Sequence, residues 1–169
     1  MLGRSLVDVT FSEMANPYAH AMGVVRCAQG AEILLKARIA EEHPLLIFSR
    51  FPKAKPKTLL DIRSLMAEGR TLMYHELPHA LWAATGYHVP QFEHFVEFGR
   101  LRNIINHLAV PRGDLAERTL RFTFEVMEPM LFDFWKCDVV KYYEAFDQEN
   151  EFLLEQLRRL NILFARRGT

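Results

Sequence analysis

Residues 17 to 43 carry the longest uninterrupted helical pattern in the chain, and no other feature limits the fold as strongly. Asn16-Pro17 reads as a helix N-cap followed by the residue best tolerated at the first helical position. From there Ala21, Val24, Val25, Ala28, Ala31, Leu35 and Ile39 recur on one broad stripe. The pattern predicts a helix of roughly 25 residues ending near His43-Pro44, because a proline disfavours helical geometry in the residue before it. A stripe of that length has to be buried against other elements. Gly23 and Gly30 weaken it locally and are expected to mark close helix packing.

Further helical segments follow. A short apolar run and then Arg50, Lys53, Lys55 and Lys57 among prolines read as an irregular, solvated connection. A short helix is expected around Thr58 to Met66, broken at Gly69, and another near residues 75 to 85, bounded by Gly86 and Pro90. Phe95, Phe98, Leu101, Ile105 and Leu108 recur at three and four, predicting an amphipathic helix of about 18 residues that stops before Pro111. Asp114 caps the next, with Leu120, Phe124, Met127 and Leu131 inward and Pro129 as a kink or a split.

The tail from residue 138 to 165 is again helical in pattern, acidic early and basic late. Its apolar positions Tyr142, Phe146, Phe152, Leu153 and Leu157 exceed what a solvated helix needs, which suggests packing against something, a second subunit included. No repeat and no alternating strand pattern is visible. The expectation is an all-α domain spanning 1–169, an up-and-down bundle of four to five helices with its core over about 17–135 and the C-terminal helix 138–165.

Composition narrows the function classes. The 169 residues are half hydrophobic, enough for a single core, and 21 basic residues balance 21 acidic ones. A polyanion would have to meet a local patch. Cys27 and Cys137 lie far apart in apolar, helix-like contexts and are expected as buried free thiols. The N-terminal stretch lacks a continuous apolar h-region, and no apolar run is long enough to span a bilayer. A soluble, cytoplasmic protein without membrane contact is the expectation.

Two strings suggest chemistry. His75, Glu76 and His79 spell H-E-x-x-H, the pattern in which a zinc peptidase places two ligands one helical turn apart beside a general base. Glu93, His94 or Glu97 could be named as a third ligand. Pro78, however, fits a helix only within its first turn, so the pair would stand on a frayed helix start. His75 and His79 are therefore expected as structural, neutral residues beside Trp82, and no metal site is assigned.

The second string is Arg102-Asn103-Ile104-Ile105-Asn106-His107. Between Gly99 and Arg112 there are three arginines, Arg100, Arg102 and Arg112, and no acid, which makes a local basic patch. The plain reading is that Arg100 and Arg102 neutralise the helix C-terminus and face water while His107 hydrogen-bonds a carbonyl, and Arg102 and His107 are both expected off the apolar stripe. The other reading rests on resemblance. Arg102, Asn103 and His107 in this spacing resemble the R-N-x-x-x-H signature of HEPN-superfamily ribonucleases, carried there on the third helix of an α-helical bundle. The stretch AQGAEILLKARIAEEHPLLIF is similar to the opening helix of many members, and the helix order matches over roughly residues 17 to 135.

That resemblance implies endonucleolytic cleavage of RNA without metal or cofactor, in a homodimer with a composite cleft, and a role like a toxin or phage-defence effector with an antitoxin or defence-system partner. By this likeness Arg102 stabilises phosphate, His107 is the general acid or base, and Asn103 orients one of them or contacts phosphate. Arg100 and Arg112 are candidate RNA contacts. The residue types suit the chemistry: histidine ordinarily titrates near neutrality, and a guanidinium is a permanent, planar phosphate partner. On a regular helix, residues five apart project roughly 140° from each other, so either the helix loosens before Pro111 or two subunits share the site. Toxins of the family paired with a nucleotidyltransferase often carry a tyrosine two residues after the histidine, where this chain has Ala109. Other members are non-catalytic interaction modules.

Overall fold

The computed structural model describes residues 1–10, 17–52, 61–144 and 150–164. They are predominantly helical, and no helix among them is long and apolar enough to cross a membrane. Two compact units are recognisable, one of residues 1–31 and 89–169 and the other of residues 32–88.

The first unit begins with a helix that the sequence pattern did not reveal, α1 (Leu2–Thr10). Leu2, Leu6 and Val9 sit at helical spacing, but over so short a segment they do not stand out from Arg4, Ser5 and Asp8. Helix α2 (Pro17–Glu42) matches the predicted long helix, while its expected cap, Asn16, lies outside the described residues. Both glycines of α2 prove to be close approaches, and α1 is the element that makes them. A Cβ on Gly23 would stand 2.6 Å from Val9 Cγ1, and one on Gly30 would stand 3.1 Å from Leu2 Cγ. Arg26 of α2 pairs with Asp8 of α1 beside the first of these.

Helix α5 (Phe92–His107) buries Phe95, Phe98 and Leu101 as the spacing predicts. Its last expected core position fails. Leu108 is 81% exposed, because the backbone leaves helical geometry there (φ −126°, ψ −73°) and the stripe no longer continues.

Asp114 caps α6 (Leu115–Arg121), accepting the Glu117 N–H at 2.8 Å. The chain then widens into a π-helical segment, Phe122–Met127, before α7 (Glu128–Trp135). Pro129 supplies the reason. It has no N–H to continue the ladder and its ring crowds the carbonyl four residues earlier, and the widened turn absorbs both: the Glu128 N–H bonds the Thr123 carbonyl, five residues back. Phe122 emerges from this segment to stack on Phe98 at 4.0 Å with an interplanar angle of 4°.

The tail is helical in its described residues as far as Arg159, short of the expected 165. It comprises α8 (Val139–Glu144) and α9 (Asn150–Arg159), with Phe146 outside the described residues. Much of its apolar surface finds a partner within the chain: Val139, Val140, Tyr143, Leu153, Leu154, Leu157 and Ile162 join Leu6 and Val9 of α1 and Leu120 and Phe124 in one buried cluster. Tyr142 and Phe152, expected on the packed face, are exposed. Arg121 fastens the turn after α9, donating to the Leu160 carbonyl at 3.0 Å while pairing with Glu117 and Glu125 at 2.8 and 2.9 Å.

The second unit contains the only strands among the described residues, a ribbon in which β1 (Phe48–Arg50) pairs antiparallel with β2 (Arg70–Thr71). Two and three residues are too few to show alternation, so no strand was expected. Helix α3 (Ile62–Glu68) is capped by Asp61, which accepts the Ser64 N–H at 2.7 Å. It stops at Gly69, where a Cβ would collide with the Leu65 carbonyl oxygen. The basic stretch 53–57 falls outside the described residues, and Arg50 is exposed. Helix α4 (Leu77–Thr85) ends at Gly86, whose φ of 73° suits glycine.

Of the two cysteines, only Cys27 is the buried thiol expected. Cys137 is exposed, because α7 ends at Trp135 and the chain turns there through Lys136 with a φ of 54°. Burial pushes the Cys27 thiol up from 9.0 to about 11, against weaker opposing hydrogen bonds from Thr123 and Ser5. In native protein a thiol reagent should therefore modify Cys137 and leave Cys27 untouched until denaturant is added. The raised value also has a stability sign. Above pH 9 the unfolded chain releases the Cys27 proton while the folded chain retains it, so this group's contribution is full below pH 9 and falls as pH rises towards 11. Urea melts across that window, compared between wild type and Cys27→Ala, should show a steeper loss of stability in the wild type.

Candidate functional site

The basic patch stands at the C-terminal end of α5. The helix is regular through His107, and the Leu108 N–H still bonds the Ile104 carbonyl at 2.9 Å. Loosening between Arg102 and His107, one of the two ways of bringing that pair together, is therefore absent. Their Cβ directions keep the separation of roughly 140°.

Burial shows where each direction leads. Counting about 100° per residue, Arg102 lies within roughly 40° of Phe98 and 20° of Phe95, on the packed side of α5. It is half-buried, and its Nε is buried. The expectation that Arg102 stands off the apolar stripe is thus corrected: its aliphatic stem belongs to that side. Its head does not stay there, because Arg102 Nη1 donates to Asn103 Oδ1 at 3.3 Å, and Asn103 is exposed. A long stem on apolar surface with a guanidinium carried out to a polar neighbour is the usual compromise for arginine.

Asn103 and His107 are one turn apart on the outer face, with Arg100 near the same line, and all three are exposed. Ile104, 40% exposed, lies beside them, and Leu108 follows. Arg112 is exposed in the loop before α6. The arrangement thus presents an imidazole, a carboxamide and a guanidinium turned towards that carboxamide, set in an acid-free segment. No known protein family, curated protein or solved structure matches the chain.

The H-E-x-x-H string has a different use. Tyr74–Glu76 form a 3-10 turn, so His75 precedes α4, and Pro78 occupies the first turn as its chemistry requires. Glu76, the base a zinc peptidase would need, accepts the Met73 N–H at 2.6 Å and closes the helix start. His79 lies against Trp82, with ring centres 6.0 Å apart, and Trp82 stacks on His88 at 5.8 Å. Among the described residues no three His, Cys, Asp or Glu side chains gather as metal ligands. His94, one of the third ligands considered, sits 3.4 Å from Glu125 instead.

A capping glutamate makes its own prediction. Glu76→Ala should lower stability by about 1 kcal/mol, whereas His75→Ala and His79→Ala should change stability less. Chemical denaturation of the three variants measures this, and zinc analysis of the wild type accompanies it. Stoichiometric zinc lost in either histidine variant would reverse the assignment.

Proposed function

We propose that the chain is a HEPN-type endoribonuclease that cuts RNA without metal, working as a homodimer in the manner of a toxin or phage-defence effector. One observation carries the reading beyond the motif itself: the Arg102 guanidinium reaches Asn103, which shares its outer face with His107, so a permanent cation is turned towards the side of α5 that bears the imidazole.

In this reaction His107 takes the proton of a ribose 2′-hydroxyl as its oxygen bonds to phosphorus. The bond from phosphorus to the 5′-oxygen breaks, and that oxygen leaves with a proton taken from water. Arg102 offsets the charge growing on the phosphate oxygens, and Asn103 holds the guanidinium. Arg100 and Arg112 bind flanking phosphates. The products are a 2′,3′-cyclic phosphate and a 5′-hydroxyl.

Purified protein incubated with single-stranded RNA and chelator should yield fragments with those two ends. Loss of cleavage in chelator, or 5′-phosphate ends, sinks the proposal. A second reading, a non-catalytic assembly module of the same superfamily, is favoured by the exposed Ile104 and Leu108 beside the site. Stable dimers with no cleavage of any RNA would establish it. An antitoxin or defence partner that restrains the nuclease would belong at the same face.

A further inference from the structure

A cavity of about 280 Å³ lies in the first unit, where α7, the turn after it and the segment beyond α9 meet. Glu128 and Phe132, four apart, share one side of α7, and Phe124, four residues earlier in the widened segment, extends the same wall. Phe164 closes the cavity from beyond α9, and Cys137 and Asp138 line it from the turn. Among the described residues that line it, the charged side chains are both acids. Glu128 is only 7% exposed. Asp138 is half-buried and caps α8, its Oδ1 accepting the Lys141 N–H at 3.0 Å. Lys136, the base nearest in sequence, donates to the Asp133 carbonyl at 3.2 Å and lies over the Phe132 ring, 5.0 Å from its centre.

Rings and carboxylates together select an occupant. An anion would meet two negative charges. An acyl chain would match the rings but hold both carboxylates against hydrocarbon, which is costly. A hydrated metal ion needs more ligands than these walls supply, since no three ligating side chains gather among the described residues. An organic ammonium ion satisfies both halves, with its charge against the carboxylates and its body against phenyl rings, whose faces also attract cations. The volume falls just below the roughly 300 Å³ at which drug-sized sites begin, so the body is a single ring or a short chain. We infer that this cavity binds a small amine with an apolar body, Glu128 and Asp138 accepting from its ammonium group and Phe124, Phe132 and Phe164 enclosing the rest. A carboxylate accepts several hydrogen bonds, so the cap made by Asp138 leaves capacity for a ligand. The cavity shares no residue with the α5 patch and stands or falls apart from the nuclease reading.

Cys137 is exposed and lines the cavity, so its reaction with a disulfide reagent reports occupancy. 2-Phenylethylamine should slow that reaction saturably in the wild type, and calorimetry should return the same dissociation constant. 2-Phenylethanol, of the same shape without the charge, and 3-phenylpropionate, of the opposite charge, should bind about tenfold more weakly or worse. Asp138→Asn, which keeps a capping oxygen, and Glu128→Gln should each weaken the amine about tenfold. Should Glu128→Gln fail to fold, Asp138→Asn decides alone. Equal protection by the alcohol overturns the site, as does wild-type affinity in the variants or an absence of binding to the wild type. Binding that appears only when Arg166 and Arg167 are replaced by alanine assigns the cavity to the chain's own cations and overturns it as well.

Discussion

Mixing an Arg102→Met chain with a His107→Ala chain should restore part of the RNA cleavage that neither has alone. Each variant by itself should lose about a hundredfold or more, the usual contribution of a charge-stabilising or general acid–base group. Restoration follows if each cleft takes its arginine from one chain and its histidine from the other, because a mixed dimer then keeps one intact pair. The regularity of α5 between these residues is what makes the experiment decisive. The Cβ directions of the two residues stay apart along a regular helix, and a site shared by two copies is the arrangement the mixture tests. Methionine is the suitable replacement, since Arg102 is half-buried on the packed side and alanine would remove its apolar stem as well as its charge. Cleavage rate and mass in solution are measured together. Mixed dimers that form and remain inactive would refute the shared site.

The largest effect on stability should come from Phe122→Ala, about 3–5 kcal/mol. Phe122 is fully buried at the start of the π segment, stacked on Phe98 and 6.0 Å from Phe95, so its removal leaves a void between two helical runs. Urea unfolding of Phe122→Ala, Phe98→Ala and the double variant should give non-additive losses, because the two rings are each other's neighbours. Additive losses would mean that the rings are not in contact.

The two residues of the motif show what the sequence could and could not supply. The helical spacing of α5 was legible at Phe95, Phe98 and Leu101, since three or four large apolar residues in a regular helix define a side. Arg102 was misplaced because its charge suggested the solvent side, while its angular position near Phe95 put its stem inward; charge concerns the tip of an arginine and angle concerns its root. Leu108 was misplaced for the opposite reason, an apolar residue one step past the end of regular geometry. Asp114 and Asp61 were different in kind. The first was legible as a cap from sequence; the second was passed over because the segment before it is rich in proline and lysine. The use of Glu76 as a cap was hidden by a motif that invited a more chemical role. Short elements fared worst: α1 and the β1–β2 ribbon span too few residues to establish a period, and the widened turn ahead of Pro129 is visible beforehand only as a defect to be accommodated.

Leu6 and Val9 share one cluster with Leu153, Leu157 and Ile162. These partners are separated by roughly 150 residues along the chain, about as non-local as contacts in a chain of this size can be, and ordering so long a loop is slow. On the ribosome this has a definite meaning. While synthesis is short of α9, α1 can meet α2 and α6 but not Leu153, Leu157 or Ile162, and the growing chain carries Leu6 and Val9 only partly covered. The cluster can close only after α9 has emerged, so the α1 end of this unit reaches its native packing late. Polypeptides arrested before residue 150 should be cut at α1 faster than chains extended past α9.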